Sequence, residues 1–189
     1  MHWILIAIIT SYLFGSIPTA YIFGKMLKGI DIRKHGSGNV GATNALRVLG
    51  KGVGIAVLVL DILKGFIPVV FIANAVVFRQ NLISSELLRI ILGIVCVCGH
   101  NWTVFLNFKG GKGIASTLGM LIGLASMIPP LRIVLVLTVF TWFLCFALSR
   151  IVSLSSIVSA IVLPLLMIPF SVSKSLFFSG ILLSVFVII

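Results

Sequence analysis

Two segments rich in glycine and in hydrogen-bond donors contain the residue types that bind phosphate. The first, residues 36–41, reads G-S-G-N-V-G and fits the G-x-G-x-x-G pattern. The second, residues 108–113, reads F-K-G-G-K-G. Glycine lets a backbone turn its N–H groups toward one point, and a following helix adds its positive N-terminal end. Each segment is therefore a candidate anion site.

Neither segment predicts a nucleotide fold. A dinucleotide fingerprint requires a preceding buried strand and an acidic residue about 20 positions further on. The residues before Gly36 are I-D-I-R-K-H, which do not form a buried strand, and Asp61 has the spacing but lies in an apolar run. Gly50-Lys51 and Gly111-Lys112 are each followed by glycine, so the Ser or Thr of a P-loop is missing.

Polar side chains accompany both segments. The first leads into a predicted short helix, Ala42–Leu49, and its candidate donors are Ser37, Asn39, Thr43, Asn44 and Arg47. The second carries Lys109 and Lys112 and opens a predicted helix from Ile114, with Ser116 and Thr117 in the first turn. Basic residues at a membrane boundary are also ordinary topological anchors. Two donor-rich segments on one face nevertheless favour a site for phosphate-type substrates.

The composition excludes an ordinary soluble domain. The chain has 189 residues, of which 60% are hydrophobic and 9% charged, and its mean hydropathy is +1.32. A net charge of +11 would by itself suggest nucleic acid. Because the chain also contains long apolar runs, we assign the charge to anionic lipid at the cytoplasmic surface and predict no nucleic-acid partner.

Apolar runs long enough to cross a bilayer predict an all-α polytopic membrane protein. About seven transmembrane helices are expected, with short cytoplasmic glycine-rich loops and half-helices, in a single domain over residues 1–189. The predicted spans are Trp3–Phe23, Val53–Phe78, Leu87–Phe105, Ile114–Ile128, Leu131–Leu148, Leu154–Phe170 and Ser175–Ile189.

The distribution of basic residues predicts the orientation. Most of them follow spans one, three and five: Lys25, Lys28, Arg33, Lys34, Arg47, Lys51, Lys109, Lys112 and Arg150. The other side receives Arg79, Arg89, Arg132 and Lys174. The positive-inside rule then places the N-terminus outside and both glycine segments on the cytoplasmic face.

Polar residues inside the predicted spans have packing interpretations. Cys96 and His100 share a helical face and could form a metal pair, but no third soft ligand is near in sequence, so we favour packing. The odd number of cysteines argues against a disulfide framework. Asp61 and Lys64 are expected to neutralise each other in the bundle interior. Small residues at every fourth position, Gly111, Ala115, Gly119 and Gly123, predict close approach of another helix.

Several spaced motifs resemble one known family. They are Gly15-Ser16-Ile17-Pro18, residues 35–44 with Arg47, Gly99-His100-Asn101, Phe105, residues 108–113, Ser149-Arg150 and Ser153-Leu154-Ser155. Their order and identity closely resemble the bacterial acyl-phosphate:glycerol-3-phosphate acyltransferase (PlsY) family.

This resemblance implies an inner-membrane enzyme that transfers a fatty acyl group from acyl phosphate to the 1-hydroxyl of sn-glycerol 3-phosphate. The products would be lysophosphatidic acid and phosphate, with no metal or coenzyme A, and the expected partners are both substrates and membrane lipids. The implied catalytic residues are Ser37, Arg47 and Lys112. The implied substrate-binding residues are Asn39, Thr43, Asn44, Lys109, Gly110, Gly111, Gly113, Ser153 and His100. For His100, burial with a bond to a neighbouring helix is favoured over a general-base role.

The chain departs from the family pattern at several points. Val40 and Thr103 stand where the family usually has proline, and Asn107 where it often has a basic residue. Family members continue into a cytoplasmic tail with a His-x-x-Asn-type motif, whereas this chain ends at residues 186–189 in apolar sequence. A truncated, impaired or catalytically silent member is therefore one alternative. A small-anion transporter is another, although its donors should lie at the midplane on inverted repeats, and no repeat is evident.

Overall fold

The computed structural model describes residues 2–188, and within that range it contains helices and turns but no β-strand. The all-α prediction is confirmed. The helices are α1 (His2–Ser16), α2 (Thr19–Lys28), α3 (Ala42–Leu49), α4 (Lys51–Ile67), α5 (Ala73–Val77), α6 (Ser85–Asn101), α7 (Ile114–Met127), α8 (Pro130–Ser149), α9 (Val152–Met167) and α10 (Lys174–Ile188). Short 3-10 turns occupy Ile32–Lys34 and Val104–Leu106.

Each predicted span is largely helical, but the number seven is not confirmed. Among the residues that the structure describes, three continuous helical segments are long and apolar enough to cross a membrane: Lys51–Val77, Ser85–Leu106 and Pro130–Ser149. The pair α1 and α2 passes the same test only when taken together. Helices α7, α9 and α10, with 14, 16 and 15 residues, are shorter than the roughly 20 residues that a full span needs.

The first predicted span is broken rather than continuous. Helices α1 and α2 meet at an angle of 41° on either side of Ile17-Pro18. Proline has no N–H to donate to the preceding turn, and it disfavours helical backbone in the residue before it. The apolar run therefore continues through a point where the helix cannot.

The chain divides into two compact units, Met1–Met120 and Leu121–Ile189. The first contains both glycine segments. In the second, α8 packs on α9 and α9 packs on α10, each pair joined by a short connection. The indole of Trp142 donates to the Ser156 hydroxyl at 3.1 Å, and the Ser184 hydroxyl donates to the Ala160 carbonyl. Both hydroxyls also donate within their own helices, Ser156 to the Val152 carbonyl and Ser184 to the Gly180 carbonyl, so the contacts between helices add to polar groups that are already satisfied.

Glycines let α1 and α6 approach until their backbones touch. A Cβ on Gly15 would overlap the Cys96 carbonyl, and a Cβ on Gly99 would overlap the Tyr12 carbonyl. Beyond the helix ends, the Thr103 hydroxyl donates to the Ser16 carbonyl at 2.6 Å. The Gly-Ser-Ile-Pro and Gly-His-Asn motifs thus hold these helices together.

Glycines also let helices α4 and α7 approach until their backbones touch. A Cβ on Gly65 would overlap the Ser116 carbonyl, and a Cβ on Gly119 would overlap the Ile62 carbonyl. Gly119 belongs to the small-residue stripe predicted on α7, and it does allow close helix packing. Because both obstacles are main-chain atoms, no side-chain rotation can relieve them.

We expect Gly65→Ala to lower the melting temperature in detergent by several degrees, since overpacking a helix contact costs about 1–3 kcal/mol. Gly52→Ala is the matched control, because nothing lies within 4 Å of a Cβ there. That change should leave the melting temperature equal or raise it, because alanine favours helix by about 1 kcal/mol over glycine. Equal melting temperatures for Gly65→Ala and the parent would contradict the close packing.

Arg89 lies inside α6 and not in a loop, which corrects its assignment to the non-cytoplasmic set of loop charges. The chain between α4 and α5 widens into a π-helical turn, Pro68–Ile72, which frees backbone carbonyls. The buried Arg89 guanidinium donates to the Val69 carbonyl at 2.6 Å and to the Asn74 side chain at 2.5 Å. The cation is therefore satisfied by the carbonyls that the proline turn exposes.

Candidate active site

The first glycine segment is shaped by one buried amide, that of Asn44. Its Oδ1 accepts from the Ser37 N–H at 2.9 Å. Its Nδ2 donates to the carbonyls of Ile32, His35 and Asn39 at 3.3, 3.0 and 2.9 Å. With 2% of its surface exposed, Asn44 holds the loop from inside, and its amide is already fully engaged.

Two glycines make this arrangement possible. Gly36 and Gly38 have φ of +61° and +75°, which favour glycine. A Cβ on Gly36 would also overlap Asn44 Oδ1. The loop then enters α3, whose residues Ala42–Leu49 are those predicted.

The other predicted donors of this segment remain accessible. Ser37, Thr43 and Arg47 are exposed, and Asn39 is half-buried. They therefore lie where a ligand could reach them, whereas Asn44 supports the backbone beneath. Direct substrate contact by Asn44, as predicted, is not supported by the way its amide is used.

One nearby cation is already neutralised. Arg33 contacts Asp31 through side-chain hydrogen bonds of 2.7 and 3.0 Å, and these lower the pKa of the Asp31 carboxyl to about 2. The carboxylate thus stays ionised at neutral pH, and its stabilising contribution is lost only as the pH falls toward that value. Because Arg33 is paired with Asp31, it is not available to an anion at the first segment. Arg47 is the cation among the predicted donors of this segment.

The second glycine segment packs against the end of α6. The N–H groups of Gly110 and Gly111 donate to the carbonyls of Asn101 and His100 at 2.9 and 3.0 Å. These two N–H groups are therefore engaged by the backbone and are not available to phosphate, whereas phosphate binding by Lys112 and other nearby N–H groups stays a prediction. Lys109 and Lys112 are exposed on the same loop.

The start of α7 supplies a different set of polar atoms. Gly113, with φ of +68°, turns the chain into α7 directly after Lys112. Within residues 2–188, the buried Asn101 Oδ1, Ser116 Oγ and Thr117 Oγ1 have no hydrogen-bond partner. Buried polar atoms are rarely left so, and a helix N-terminus favours anions. The Ser116 and Thr117 hydroxyls and the start of α7 are donors that an anion could use, and the role of Lys112 stays a prediction.

A buried polar cluster lies within the same unit. Asp61 Oδ1 accepts from the Thr19 hydroxyl at 2.6 Å and pairs with Lys64 Nζ at 2.8 Å. Lys64 also donates to the Ile17 carbonyl at 3.1 Å, at the break between α1 and α2. The predicted mutual neutralisation of Asp61 and Lys64 is confirmed. An apolar groove of about 310 Å³ opens beside Thr19 and Lys64, and its other lining residues are Phe14, Ile17, Ile22, Phe23 and Leu60.

His100 adjoins this cluster without joining it by a hydrogen bond. Its Nδ1 lies 4.0 Å from Asp61 Oδ1 and has no hydrogen-bond partner in the described part of the chain. On its other side the imidazole meets Gly111, where a Cβ would overlap Nε2. His100 is thus buried, as favoured, but the expected bond to a neighbouring helix is not formed. Its neighbour Cys96 donates to the Lys64 carbonyl at 3.0 Å, as a packing residue would.

The two glycine segments are built around one hydrophobic cluster. Its members are Ala20, Ile32, Val40, Ala45, Leu49, Val57 and Leu106. Ile32, Val40 and Ala45 belong to the first segment and its flanks, while Leu106 precedes the second. Burial of Leu106 among the first segment's residues therefore fixes both loops to one core.

The departures from the family pattern have local explanations. Val40 is 4% exposed and belongs to this cluster. The Thr103 hydroxyl accepts from the Phe105 N–H at 3.2 Å, which starts the 3-10 turn before the loop. Asn107 has φ of +54°, a conformation that asparagine tolerates. Each substitution therefore fits its place.

Ser153, the remaining predicted residue, lies in the second unit. It is exposed near the start of α9, directly after the left-handed turn at Arg150 that ends α8. Its role stays a prediction.

Sequence reasoning missed Thr19 and Leu106. Thr19 follows the proline break, yet its partner Asp61 lies 42 residues further on, so no local pattern signals the contact. Leu106 lies in an apolar run that predicts a span, and only its burial against the first loop reveals its importance.

One protein-family model matches almost the whole chain. The family model described as glycerol-3-phosphate acyltransferase matches residues 5–189. The chain belongs to the glycerol-3-phosphate acyltransferase family. This membership favours acyl transfer over anion transport and confirms the resemblance seen in the motifs.

Curated members of the glycerol-3-phosphate acyltransferase family match over most of the chain. The glycerol-3-phosphate acyltransferase of Chlorobium phaeobacteroides (strain DSM 266) is 48% identical over 169 residues, covering 86% of this chain and 68% of the relative. Glycerol-3-phosphate acyltransferase 2 of Moorella thermoacetica is 44% identical, covering 88% of this chain and 78% of the relative.

A solved structure of the glycerol-3-phosphate acyltransferase family has the same fold. The crystal structure of PlsY (YgiH), an integral membrane glycerol 3-phosphate acyltransferase, in its glycerol 3-phosphate form matches with a TM-score of 0.83 and 37% identity. The match covers 98% of this chain and 86% of that one. Its lysophosphatidic acid form matches with a TM-score of 0.80. Together with the apolar helices, this likeness identifies a membrane protein.

Proposed function

We propose that this protein transfers a fatty acyl group from acyl phosphate to the 1-hydroxyl of sn-glycerol 3-phosphate. The hydroxyl oxygen attacks the acyl carbonyl carbon, and a new C–O ester bond forms. The C–O bond to phosphate breaks, and the phosphate leaves with the hydroxyl proton. Lysophosphatidic acid and inorganic phosphate are the products.

Acyl phosphate binds at the second glycine segment in this proposal. Lys112 and the N-terminus of α7 contact its phosphate, and Lys109 adds positive charge. Gly110, Gly111 and Gly113 shape the loop, since the N–H groups of the first two are engaged. The acyl chain occupies the apolar groove, which is linked to Gly111 through Lys64, Asp61 and His100.

Glycerol 3-phosphate binds at the first segment. Arg47 pairs with its phosphate, and the exposed hydroxyls of Ser37 and Thr43, with the Asn39 amide, orient the glycerol. Asn44 acts indirectly, by holding the Ser37 backbone.

The chemistry needs little beyond alignment and charge stabilisation. Acyl phosphate is already activated, so bringing the two reactants together supplies much of the rate enhancement. Lys112 stabilises the negative charge that develops on the acyl and leaving oxygens. His100 is buried against Asp61 and Gly111, which supports the substrate phosphate rather than His100 as the proton acceptor.

The observation that carries this proposal is the shared cluster around Leu106, which attaches both anion-binding loops to one core. A bound acyl phosphate and a bound glycerol 3-phosphate can then react directly. The basic residues near these loops support a cytoplasmic active site in the bacterial inner membrane, with the N-terminus outside.

Activity of the purified protein tests the proposal. Given acyl phosphate and glycerol 3-phosphate, it should form lysophosphatidic acid and an equal amount of inorganic phosphate, measured by mass spectrometry and phosphate release. Glycerol is the matched acceptor control, because it retains the hydroxyl but lacks the group that Arg47 binds. Equal turnover of glycerol, or product formation only from acyl-coenzyme A, would refute the assignment.

A further inference from the structure

The second glycine segment packs against the His100 side chain, which has no role in the proposed reaction. The three nearest atoms that a Cβ on Gly111 would meet all belong to the His100 imidazole. The adjacent N–H of Gly111 donates to the His100 carbonyl. Any shift of His100 is therefore transmitted to the loop that precedes Lys112.

The position of His100 is in turn defined by α4. Its unpartnered Nδ1 faces Asp61 Oδ1 at 4.0 Å, and the ring is 6% exposed. Asp61 is held by Lys64 and Thr19, and Lys64 also binds the Ile17 carbonyl. Polar contacts run from the α1–α2 break to Asp61 on α4, and the His100 ring packs between Asp61 and the glycine loop.

We propose that Asp61, Lys64 and His100 are positioning residues that hold the second glycine segment in the shape that binds acyl phosphate. The inference rests on the proposed function and extends it to residues that contact neither reacting group; Lys64 also lines the groove proposed for the acyl chain. A charge pair this deeply buried is expensive to retain in a membrane protein. Positioning of the glycine loop gives this charge pair a function that helix packing alone would not require.

Enlarging the residue at position 111 and then truncating His100 tests the contact between them. Gly111→Ala should raise KM for acyl phosphate about tenfold and leave KM for glycerol 3-phosphate within about twofold. Adding His100→Ala removes the three atoms that the new methyl meets, so the double variant should regain most of the loss in KM and in melting temperature.

Gly110→Ala provides the matched control. A Cβ there overlaps the backbone carbonyls of His100 and Asn101, which His100→Ala does not remove. The pair Gly110→Ala and His100→Ala should show no recovery. Equal recovery at both glycines, or none at Gly111, would overturn the proposed contact.

The charge pair is tested with a neutral double variant, Asp61→Asn with Lys64→Gln, which avoids leaving one buried charge alone. It should raise KM for acyl phosphate more than KM for glycerol 3-phosphate. Arg89→Met is the control, since it removes another buried cation from this unit, one that contacts the π-turn instead of the loop. It should lower the melting temperature while the ratio of the two KM values stays at the parent value.

The outcomes distinguish failure of the positioning role from failure of the proposed acyl transfer. A parent protein that makes no lysophosphatidic acid overturns both. An active parent in which Asp61→Asn/Lys64→Gln and Arg89→Met change the two KM values alike overturns the positioning role and leaves the proposed function standing.

Discussion

Replacing Lys112 with alanine should lower kcat/KM for acyl phosphate by about 10²–10³-fold, the usual cost of removing one donor to a developing negative charge. Lys112 is exposed and directly precedes Gly113, which turns the chain into α7. Because the helix N-terminus remains, binding should weaken less than turnover. Steady-state kinetics with varied acyl phosphate measure both terms.

Lys51→Ala is the matched control, because it also removes one exposed basic residue beside a glycine. Its activity should stay within about twofold of the parent, as expected for a screened surface charge. Ser37→Ala, at the other loop, should instead impair the reaction with glycerol 3-phosphate. If Lys112→Ala and Lys51→Ala behave alike, the acyl phosphate site has been assigned to the wrong residue.

Asn44→Asp should collapse the first glycine loop, although it changes only an amide NH₂ into an oxygen. That oxygen would face the carbonyls of Ile32, His35 and Asn39, and its charge would lie at a position that is 2% exposed. Losing the donor and burying an unpaired carboxylate should cost at least about 3 kcal/mol. We expect a large fall in melting temperature and loss of acyl transfer.

The same substitution at Asn74 controls for the introduced charge. Asn74 is exposed, and its Oδ1 accepts from the Arg89 guanidinium at 2.5 Å, so an aspartate there gains an ionic partner. Asn74→Asp should leave the melting temperature unchanged or raise it. An Asn44→Asp protein that melts with the parent and remains active would show that the loop does not depend on this amide.

Local sequence signals predicted the features that are set by residues close together in the sequence. Helix α3 spans Ala42–Leu49, as predicted for the stretch that follows the first glycine segment. The start of α7 at Ile114 likewise follows from Gly113. The pairing of Asp61 with Lys64 follows from their i, i+3 spacing on one helix.

Contacts between distant segments could not be predicted in this way. The N–H groups of Gly110 and Gly111 look free in the sequence, because their acceptors lie at the end of α6. Asn44 resembles a surface donor until its three carbonyl partners are brought together by the loop. The contacts that satisfy Arg89 could not be predicted, because its acceptor at Val69 lies 20 residues earlier, beyond a connecting turn.

The brevity of α7 has a consequence for the surrounding lipid. With 14 residues it measures about 21 Å, whereas the hydrocarbon layer of a bilayer is about 30 Å thick. Such hydrophobic mismatch requires the membrane to thin around the helix, or one helix end to remain at acyl-chain depth. Either adjustment shortens the distance between headgroup level and the methylene layer beside Gly113. An amphiphilic donor could then dock without being lifted out of its leaflet.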